Sequence, residues 1–254
     1  MRRRRWRDAL RALTAPALVL GGLFSPARPA AGVVAALTAA RCATPLPRLA
    51  ARAPEVLVTV TAPSFAAVQG ELSAYRRSGA ACFVRVAGPY PAWLGSGGLS
   101  AHHLEGDATT PAGLFGIGRL LYGADPDPGL ASPYHRLSCG DWWDEDPRSS
   151  SYNRFVHLAC GARPSFGGGS EALWRILPAY DALAVVEYNA APVVPGRGSA
   201  IFLHVATGSP TVGCVSVAKA ALLSVLRALP PAGGALIAIG TPATLAALRR
   251  PENL

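Results

Sequence analysis

The chain has 254 residues, of which 50% are hydrophobic and 15% are charged, and this composition supplies enough apolar material for a sizeable core. The formal net charge is +9, but residues 1–40 hold seven Arg and one Asp and account for +6 of it. The remaining basic residues are scattered and form no stripe interleaved with aromatic side chains. The charge pattern therefore argues against nucleic-acid binding.

The first forty residues have the composition of an export signal. A run of arginines at positions 2–5 precedes an apolar stretch at 15–24, and small residues follow. This order is typical of a secretory signal peptide, and an uncleaved N-terminal anchor is the alternative. Two prolines and an arginine between 26 and 29 interrupt the stretch before it reaches the ~18 apolar residues of a membrane span. We therefore expect residues 1–40 to direct export, and only this segment to contact a membrane.

The five cysteines fit a protein that folds in an oxidising compartment. Cys139 and Cys160 bracket an irregular, polar segment and are the preferred disulfide pair. Cys42 and Cys82 form a second pair if Cys42 remains in the mature chain. Either arrangement leaves Cys214 as the odd thiol, and an unpaired cysteine in such a compartment favours a chemical role.

Strand-like segments dominate the rest of the chain. Five of them are rich in β-branched and other apolar residues, and they span residues 55–60, 82–87, 184–189, 200–205 and 235–240. Between residues 88 and 118, dense Gly and Pro predict short strands joined by tight turns. Residues 119–170 form a long insertion whose cysteine pair indicates an ordered structure. We therefore expect a mainly β domain with a few helices over residues 55–245, preceded by a linker at 41–54.

Two helices are predicted from apolar spacing. Four apolar residues recur at helical intervals behind Ser64 and predict a helix over residues 64–77. A second apolar stripe runs from Ala218 to Leu229 behind Ser216, a residue type that favours N-cap positions. The second helix is therefore expected next to the segment that carries the strongest chemical pattern.

That segment is residues 200–216. An apolar strand ends at His204, a turn follows, and Gly213 and Cys214 precede the helix expected behind Ser216. A thiol just before a helix N-terminus is stabilised as thiolate, and a nearby histidine supplies a base. Backbone N–H groups around Gly213 are suited to an oxyanion hole. A buried structural thiol beside a hydrogen-bonded histidine is the alternative that spacing alone leaves open.

Residues 211–216, Thr-Val-Gly-Cys-Val-Ser, together with His204, resemble the active-site signature of the L,D-transpeptidase family (YkuD-type catalytic domain). In that family a histidine precedes a small polar residue, any residue, glycine and the cysteine. Val212 stands where many members carry a second histidine, and Ser216 stands where many carry arginine. The cysteine and the histidine at 204 are the two positions that the resemblance assigns.

Two upstream segments resemble the same family. Residues 106–116 contain the run Thr-Thr-Pro-Ala-Gly-Leu-Phe, which is similar to the family's early strand turn. Residues 141–153 hold a Trp pair and Ser-Tyr-Asn, which are similar to the actinobacterial exported members. The resemblance covers about residues 80–242 and implies an L,D-transpeptidase (YkuD-like) β-sandwich-type catalytic domain.

The resemblance implies acyl transfer on peptidoglycan with no metal or organic cofactor. Cys214 would attack the L,D bond of a donor tetrapeptide stem, and His204 would remove the thiol proton and later act on the incoming amine. Gly213, Thr211 and Ser216 would hold the oxyanion or contact the substrate. Transfer to a second stem gives a 3→3 cross-link, and a carbapenem-type β-lactam is the expected covalent probe. The expected location is the cell wall or a periplasm-like space.

Two other functions are compatible with the same residues. With water as acceptor the same site would make the chain an L,D-carboxypeptidase. A non-catalytic wall-binding domain is the alternative from another class, because the departures at 212 and 216 remove residues that are usual in the family.

Each of three weaker patterns also has an explanation that involves packing or solvation and no specific site. Tyr188, at the end of a predicted strand, borders the cleft or simply packs there. The pair His102-His103 with two nearby acids suggests a metal site, but adjacent histidines point opposite ways along a strand, so contact with substrate at the cleft rim is favoured. The acidic run at 141–146 lacks the spacing of a calcium loop and is interpreted as a solvated loop.

Overall fold

The computed structural model describes residues 42–46, 54–79, 82–167 and 169–248. The expected export segment, residues 1–40, lies outside the described residues, and so does most of the expected linker. The prediction of a mainly β domain with a few helices is confirmed. The strands are β1 (Val56–Thr61), β2 (Gln69–Arg77), β3 (Phe83–Trp93), β4 (Leu99–Ser100), β5 (Thr110–Pro111), β6 (Gly113–Gly123), β7 (Tyr134–Arg136), β8 (Asp141–Asp144), β9 (Arg154–His157), β10 (Glu171–Ala172), β11 (Leu183–Val186), β12 (Phe202–Val205), β13 (Val215–Val217) and β14 (Leu236–Gly240), and the helices are α1 (Lys219–Ala228) and α2 (Pro242–Ala247).

Eight of these strands close into a mixed barrel. Their order is β6, β11, β12, β13, β3, β2, β1, β14 and back to β6. The pairs β1–β14 and β12–β13 are parallel, and the other six pairs are antiparallel. Because β6 pairs with β11, the two ends of the sheet meet. The sheet is thus a closed barrel, where a sandwich of two sheets was expected.

The barrel interior is filled by apolar side chains from alternate positions of its strands. Val56, Val58 and Val60 of β1 belong to one buried cluster, together with Ile237 and Ile239 of β14. The intervening side chains of these strands face outward, as the two-residue period of a strand requires. Eight strands enclose a space that side chains can just fill, so the interior is a packed core and not a channel. Helix α1 adds four of its residues to the same cluster: Ala221, Leu222, Val225 and Leu226.

The long insertion covers part of the outer face of the barrel. Its strands β8 and β9 form a small antiparallel sheet with β10, which directly follows the insertion. Trp143 from β8 meets the outward-facing Phe202 of β12 edge to face, with ring centroids 5.0 Å apart. Tyr180, from a short 3-10 turn after the insertion, meets the same ring at 5.5 Å. The outer surface of β12 is therefore buried under aromatic residues, and this is the surface on which the site lies.

Two disulfides brace the described chain. Cys139 is bonded to Cys160, as preferred from the sequence, and the bridge closes the β8–β9 hairpin. Cys42 is bonded to Cys82, the second pair considered, and attaches the segment at 42–46 to the start of β3. Two disulfides indicate an oxidising compartment outside the cytoplasm. Within the described ranges, no helix has the length and apolarity to cross a membrane.

The helix predicted over residues 64–77 is wrong, since strand β2 occupies its second half. Leu72 and Ala74 are fully buried and Tyr75 is half-buried on the other side of the sheet, which is the alternation of a strand. Phe65, which began the apparent helical stripe, is 42% exposed in the preceding turn. Pairing with both β1 and β3 overrides the local spacing, because each pairing satisfies the backbone of β2 on one side.

The predicted start of the second helix is also wrong. Ser216 lies in the middle of β13, and α1 begins three residues later, at Lys219, after an Ala218 that makes no side-chain capping bond. The parallel pairing of β12 with β13 places His204 opposite Ser216 and continues through Val217. Cys214 therefore precedes a strand and not a helix.

Candidate functional site

Cys214 is unpaired, as predicted, and lies where the loop at 206–213 enters β13. Its Sγ–H donates to the carbonyl oxygen of Ala200 over 3.2 Å, and its sulfur accepts from the backbone N–H of Phe202 over 3.3 Å. Only 9% of the residue is exposed. The thiol is thus held against the chain that leads into β12, with a small accessible surface toward solvent.

The environment of Cys214 favours the neutral thiol. Burial raises its pKa well above the ordinary value, and the negative charges of Glu171 and Glu145 raise it further, while the N–H of Phe202 acts in the opposite direction. The thiolate stabilisation expected from a helix N-terminus is missing, because α1 starts five residues further on. Forming the nucleophile therefore requires a base or a change in the charge around the sulfur.

The turn before Cys214 is braced by two threonines. The hydroxyls of Thr211 and Thr110 both donate to the carbonyl oxygen of Cys214, at 2.7 and 3.2 Å. Thr211 also accepts from the backbone N–H of Gly213. Gly213 has φ +144, and an added Cβ would lie 3.0 Å from the carbonyl oxygen of Thr109. The residues predicted to hold the oxyanion or contact the substrate, Thr211 and Gly213, thus lie next to the thiol. The hydroxyl of Thr211, however, is hydrogen-bonded to the backbone.

His204 lies on the strand next to Cys214 but is not hydrogen-bonded to it. Its Nδ1 donates to the carbonyl oxygen of Val205 over 2.9 Å, and its ring meets Tyr180 edge to face at 5.5 Å. Burial lowers its pKa, which keeps the ring neutral, and the backbone of Val205 and of Ala179 acts in the opposite direction. In the β12–β13 register it stands opposite Ser216, two positions beyond the thiol.

A cavity of about 460 Å³ opens in front of Cys214. It lies between the loop at 101–109, the insertion and the segment that leads into β12. The polar groups among its described lining residues are His103, Glu105, Glu145, Glu171, Ser199 and the thiol of Cys214. No lysine or arginine is among these lining residues, and neither is His204. The cavity is therefore acidic, and the histidine that shares it with the thiol is His103.

The three cavity glutamates are held differently. Glu105 accepts from the hydroxyls of Tyr152 and Ser199, the latter at 2.7 Å. Glu171 accepts from Tyr180 at 2.5 Å, and burial raises its pKa. Glu145 has one buried carboxyl oxygen without a partner among the described residues. Burial raises the pKa of Glu145, and the neighbouring carboxylates, Glu171 first among them, raise it further.

His103 is fixed by an acidic partner on its own loop. Its Nδ1 lies 2.8 Å from Asp107 Oδ1 and 3.1 Å from Thr109 Oγ1. Asp107 in turn accepts from the backbone N–H groups of Leu104 and Thr109, at 2.8 and 2.9 Å. Only 4% of His103 is exposed, and burial lowers its pKa, while Asp107 acts in the opposite direction. His102 points to solvent and does not line the cavity.

The two remaining predicted contacts differ in access. Tyr188 follows β11, donates its hydroxyl to the carbonyl oxygen of His103 over 2.8 Å and meets that ring edge to face at 5.2 Å. Tyr188 does not itself line the cavity; it packs behind His103, which does. Ser216 is 1% exposed in β13, and its hydroxyl has no partner in the described part of the chain. It lies beneath the site and cannot contact a ligand in the cavity without a rearrangement of the strand.

The acidic run at 141–146 is not the solvated loop that was expected. Asp141 and Asp144 are fully buried, and Asp146 is 6% exposed. Asp141 accepts from His135 and His157, at 2.9 and 2.6 Å, and these bonds help to lower its pKa. These carboxylates hold the insertion together. Among the described residues, no group of three or more His, Cys, Asp or Glu side chains is arranged so that it could hold a metal ion.

Sequence reasoning missed two cavity glutamates, Glu145 and Glu171, and treated His103 as a rim residue or a metal ligand. The run Glu-Gly-Asp after His103 contained the relevant signal, because an acid four residues after a histidine can close a loop onto its ring. Comparisons with protein-family models, with curated proteins and with solved structures find no match.

Proposed function

We propose that this protein is an exported cysteine acyltransferase of the L,D-transpeptidase type that acts on peptidoglycan stem peptides. The observation that carries the proposal is the free thiol of Cys214 on the wall of a 460 Å³ cavity, in a chain whose other described cysteines are all in disulfides. A thiol kept unpaired in an oxidising compartment and exposed to a cavity is suited to nucleophilic catalysis. The resemblance of residues 211–216 to the family signature supports the same chemistry.

In the proposed reaction, Cys214 attacks the carbonyl carbon of the donor peptide bond. A base takes the thiol proton, the C–N bond breaks, and the released amine carries that proton away. His204 is the base that the family signature indicates, and it stays neutral because burial lowers its pKa. For this step the Sγ–H must exchange its bond to the Ala200 carbonyl for one to the base. The resulting thioester then passes to an amine of a second stem.

The acidic wall of the cavity supports an amine as acceptor. Glu105, Glu145 and Glu171 line the space in front of the thiol, with no lysine or arginine among the described lining residues. An ammonium group bound there would pair with carboxylates that otherwise repel one another, and it would also lower the pKa of Cys214. Water as acceptor, which gives an L,D-carboxypeptidase, does not use this charge pattern.

One observation favours a non-catalytic wall-binding domain. The thiol of Cys214 is buried, donates a hydrogen bond to one backbone group and accepts one from another. Burial also raises its pKa, as expected for a structural cysteine. In this alternative the cavity binds a wall component, and the thiol has no chemical role.

The test is turnover of a defined donor. Purified full-length protein is incubated with a tetrapeptide stem, with and without an acceptor stem that carries a free side-chain amine, and products are measured by mass spectrometry. The proposal expects a cross-linked dimer that requires acceptor, and no product from Cys214→Ala. Ser209→Ala, an exposed change in the same loop, is the matched control and should behave as wild type. Tripeptide alone would favour the carboxypeptidase, and no product from oxidised, folded wild type would favour the wall-binding domain.

A further inference from the structure

We propose that His103, oriented by Asp107, is a second catalytic residue of the cavity, and that it transfers the proton of the amine that leaves or enters during acyl transfer. The inference rests on the proposed function. It gives each reacting group its own histidine: His103 exchanges a proton with the amine, and His204 takes the proton of the thiol.

The first support is position. His103 and Cys214 line the same cavity, whereas His204 does not. The ring of His103 also lies beside the residue that precedes the nucleophile, since a Cβ on Gly213 would be 3.6 Å from its Cε1. A substrate carbonyl at the sulfur therefore places its nitrogen in a space that His103 borders.

The second support is orientation. The contact of Nδ1 with Asp107 Oδ1 at 2.8 Å fixes the neutral tautomer with its proton on Nδ1. Thr109 donates its hydroxyl to the same carboxylate oxygen at 2.8 Å, so the acid is itself held in place. Nε2 then carries the free lone pair, and it has no hydrogen-bond partner among the described residues. A base with one nitrogen anchored and the other free is ready to accept a proton.

The third support is the close packing of the ring. Gly198 has φ +93, and a Cβ there would overlap Cδ2 and Nε2 of His103. Tyr188 covers a further side, edge to face at 5.2 Å, and its hydroxyl fixes the His103 carbonyl. The ring is thus held by aromatic and backbone contacts on several sides, with glycine at the closest approach.

The proton balance is complete without another reactant. In acylation the sulfur–carbon bond forms and His204 takes the thiol proton. That proton passes to Nε2 of His103, which delivers it to the departing nitrogen as the carbon–nitrogen bond breaks. In transfer, the incoming neutral amine forms the new carbon–nitrogen bond and gives one proton to Nε2 as the carbon–sulfur bond breaks. That proton then returns to the sulfur of Cys214.

The charges that face His103 set the pH dependence. Burial lowers its pKa, whereas Asp107 and then Glu105, on the same loop, raise it. Tyr188 packs against the ring, and Glu145, Glu171 and Cys214 face it from other walls of the cavity. The base form is therefore present at neutral pH and is lost on the acid side. Removing the charge of Asp107 lowers the pKa of His103 and moves that loss to lower pH.

The experiment measures the pH profile of donor turnover in oxidised, full-length protein, with formation of the Cys214 adduct by a carbapenem measured in parallel. The variants are His103→Gln and Asp107→Asn, with His102→Gln as the matched control on the exposed neighbouring histidine. We expect His103→Gln to lose about 100-fold in turnover, together with the acidic limb of the profile. Asp107→Asn should retain a limb that is shifted to lower pH. His102→Gln should match wild type.

The two proposals fail in different ways. If wild type forms the adduct and turns over donor, but His103→Gln stays within twofold of His102→Gln with an unchanged profile, the role of His103 is refuted and the acyltransferase stands. If wild type forms neither adduct nor product, both proposals fall. Should His103→Gln not fold, Asp107→Asn decides, because a purely structural contact predicts no displacement of the acidic limb.

Discussion

The interior of the barrel and the cavity on its outer face differ in the kinds of side chain that they contain. The interior joins apolar side chains from every barrel strand in one buried cluster, mostly valines, leucines and isoleucines, with alanines from β3. The cavity, one strand thickness away, collects a thiol, a histidine and three glutamates. In β12 the two faces alternate residue by residue, with Leu203 and Val205 inside and Phe202 and His204 outside. The two-residue period of a strand thus places the packed core and the proposed reactive groups on opposite faces of the same sheet.

The largest effect expected from this comparison is on activity at the outer face. Cys214→Ala should remove all acyl transfer, because no other free thiol exists among the described residues. Its free energy of unfolding should change by only about 1 kcal/mol, since one weak hydrogen-bonding group is lost. Product analysis and urea unfolding measure the two quantities. Residual turnover in Cys214→Ala would break the assignment of the cavity as the reactive face.

The reverse pattern is expected for the interior. Ile237→Ala removes a fully buried side chain of β14 and should lower the free energy of unfolding by about 3 kcal/mol. Val86→Ala, on an outward position of β3 that is 45% exposed, is the control and should change it by less than about 0.5 kcal/mol. Urea unfolding checks both. Equal costs at the two positions would mean that 237 does not face a packed core.

The disulfide in the insertion should contribute to the stability of the protein and not to its turnover. Cys139→Ser opens the Cys139–Cys160 bridge and should lower the free energy of unfolding by about 3 kcal/mol through the loop-closure entropy of the unfolded chain. Turnover by the protein that remains folded should persist, because neither cysteine lines the cavity. Complete loss of turnover in folded protein would show that the bridge shapes the cavity itself.

The smallest effect tests the acidity of the cavity wall. The pKa of Glu145 is raised above its usual 4.5 in the folded state, so its favourable contribution to stability is present at low pH and is lost as the pH rises through the raised pKa. Glu145→Gln should therefore unfold at higher urea than wild type at pH 8 and match it at pH 4. At a pH above the raised pKa of Glu145, where its carboxyl is charged, the substitution should also speed alkylation of Cys214 by iodoacetamide, because a charge that raises the thiol pKa is removed. An unchanged pH dependence of unfolding would contradict the assigned charge interactions.

Much of the fold could be predicted from local pattern. The β-branched run of β1, the apolar runs of β12 and β14 and both disulfide pairs were visible in the sequence. The closure of the sheet was not, because the pairing of β6 with β11 joins segments about sixty residues apart and leaves no local trace. Helical spacing at 65–75 misled for a related reason, since Leu72 and Tyr75 lie on β2 between two other strands, while Phe65 is exposed in the turn before it.

The site was predicted in part. Cys214 was identified because an odd cysteine is a property of composition. The helix-terminus argument failed because the parallel pairing with β12 extends β13 through Ser216 and Val217. The acidic wall was missed because Glu145 lies in the insertion and Glu171 directly after it, and only the long-range pairing of β10 with β8, which sets Glu171 opposite Trp143, brings the two segments together. His103 was named but was not connected to the thiol, since only the folded loop brings it beside Gly213.

The most direct test of the central claim is the intact mass of full-length, oxidised protein after incubation with a carbapenem, followed by peptide mapping. The account predicts one adduct per chain, located on Cys214, that is absent from Cys214→Ala and present in Ser209→Ala. An unmodified mass for folded wild type, or an adduct on any other residue, would contradict the assignment of Cys214 as the nucleophile of an acyltransferase.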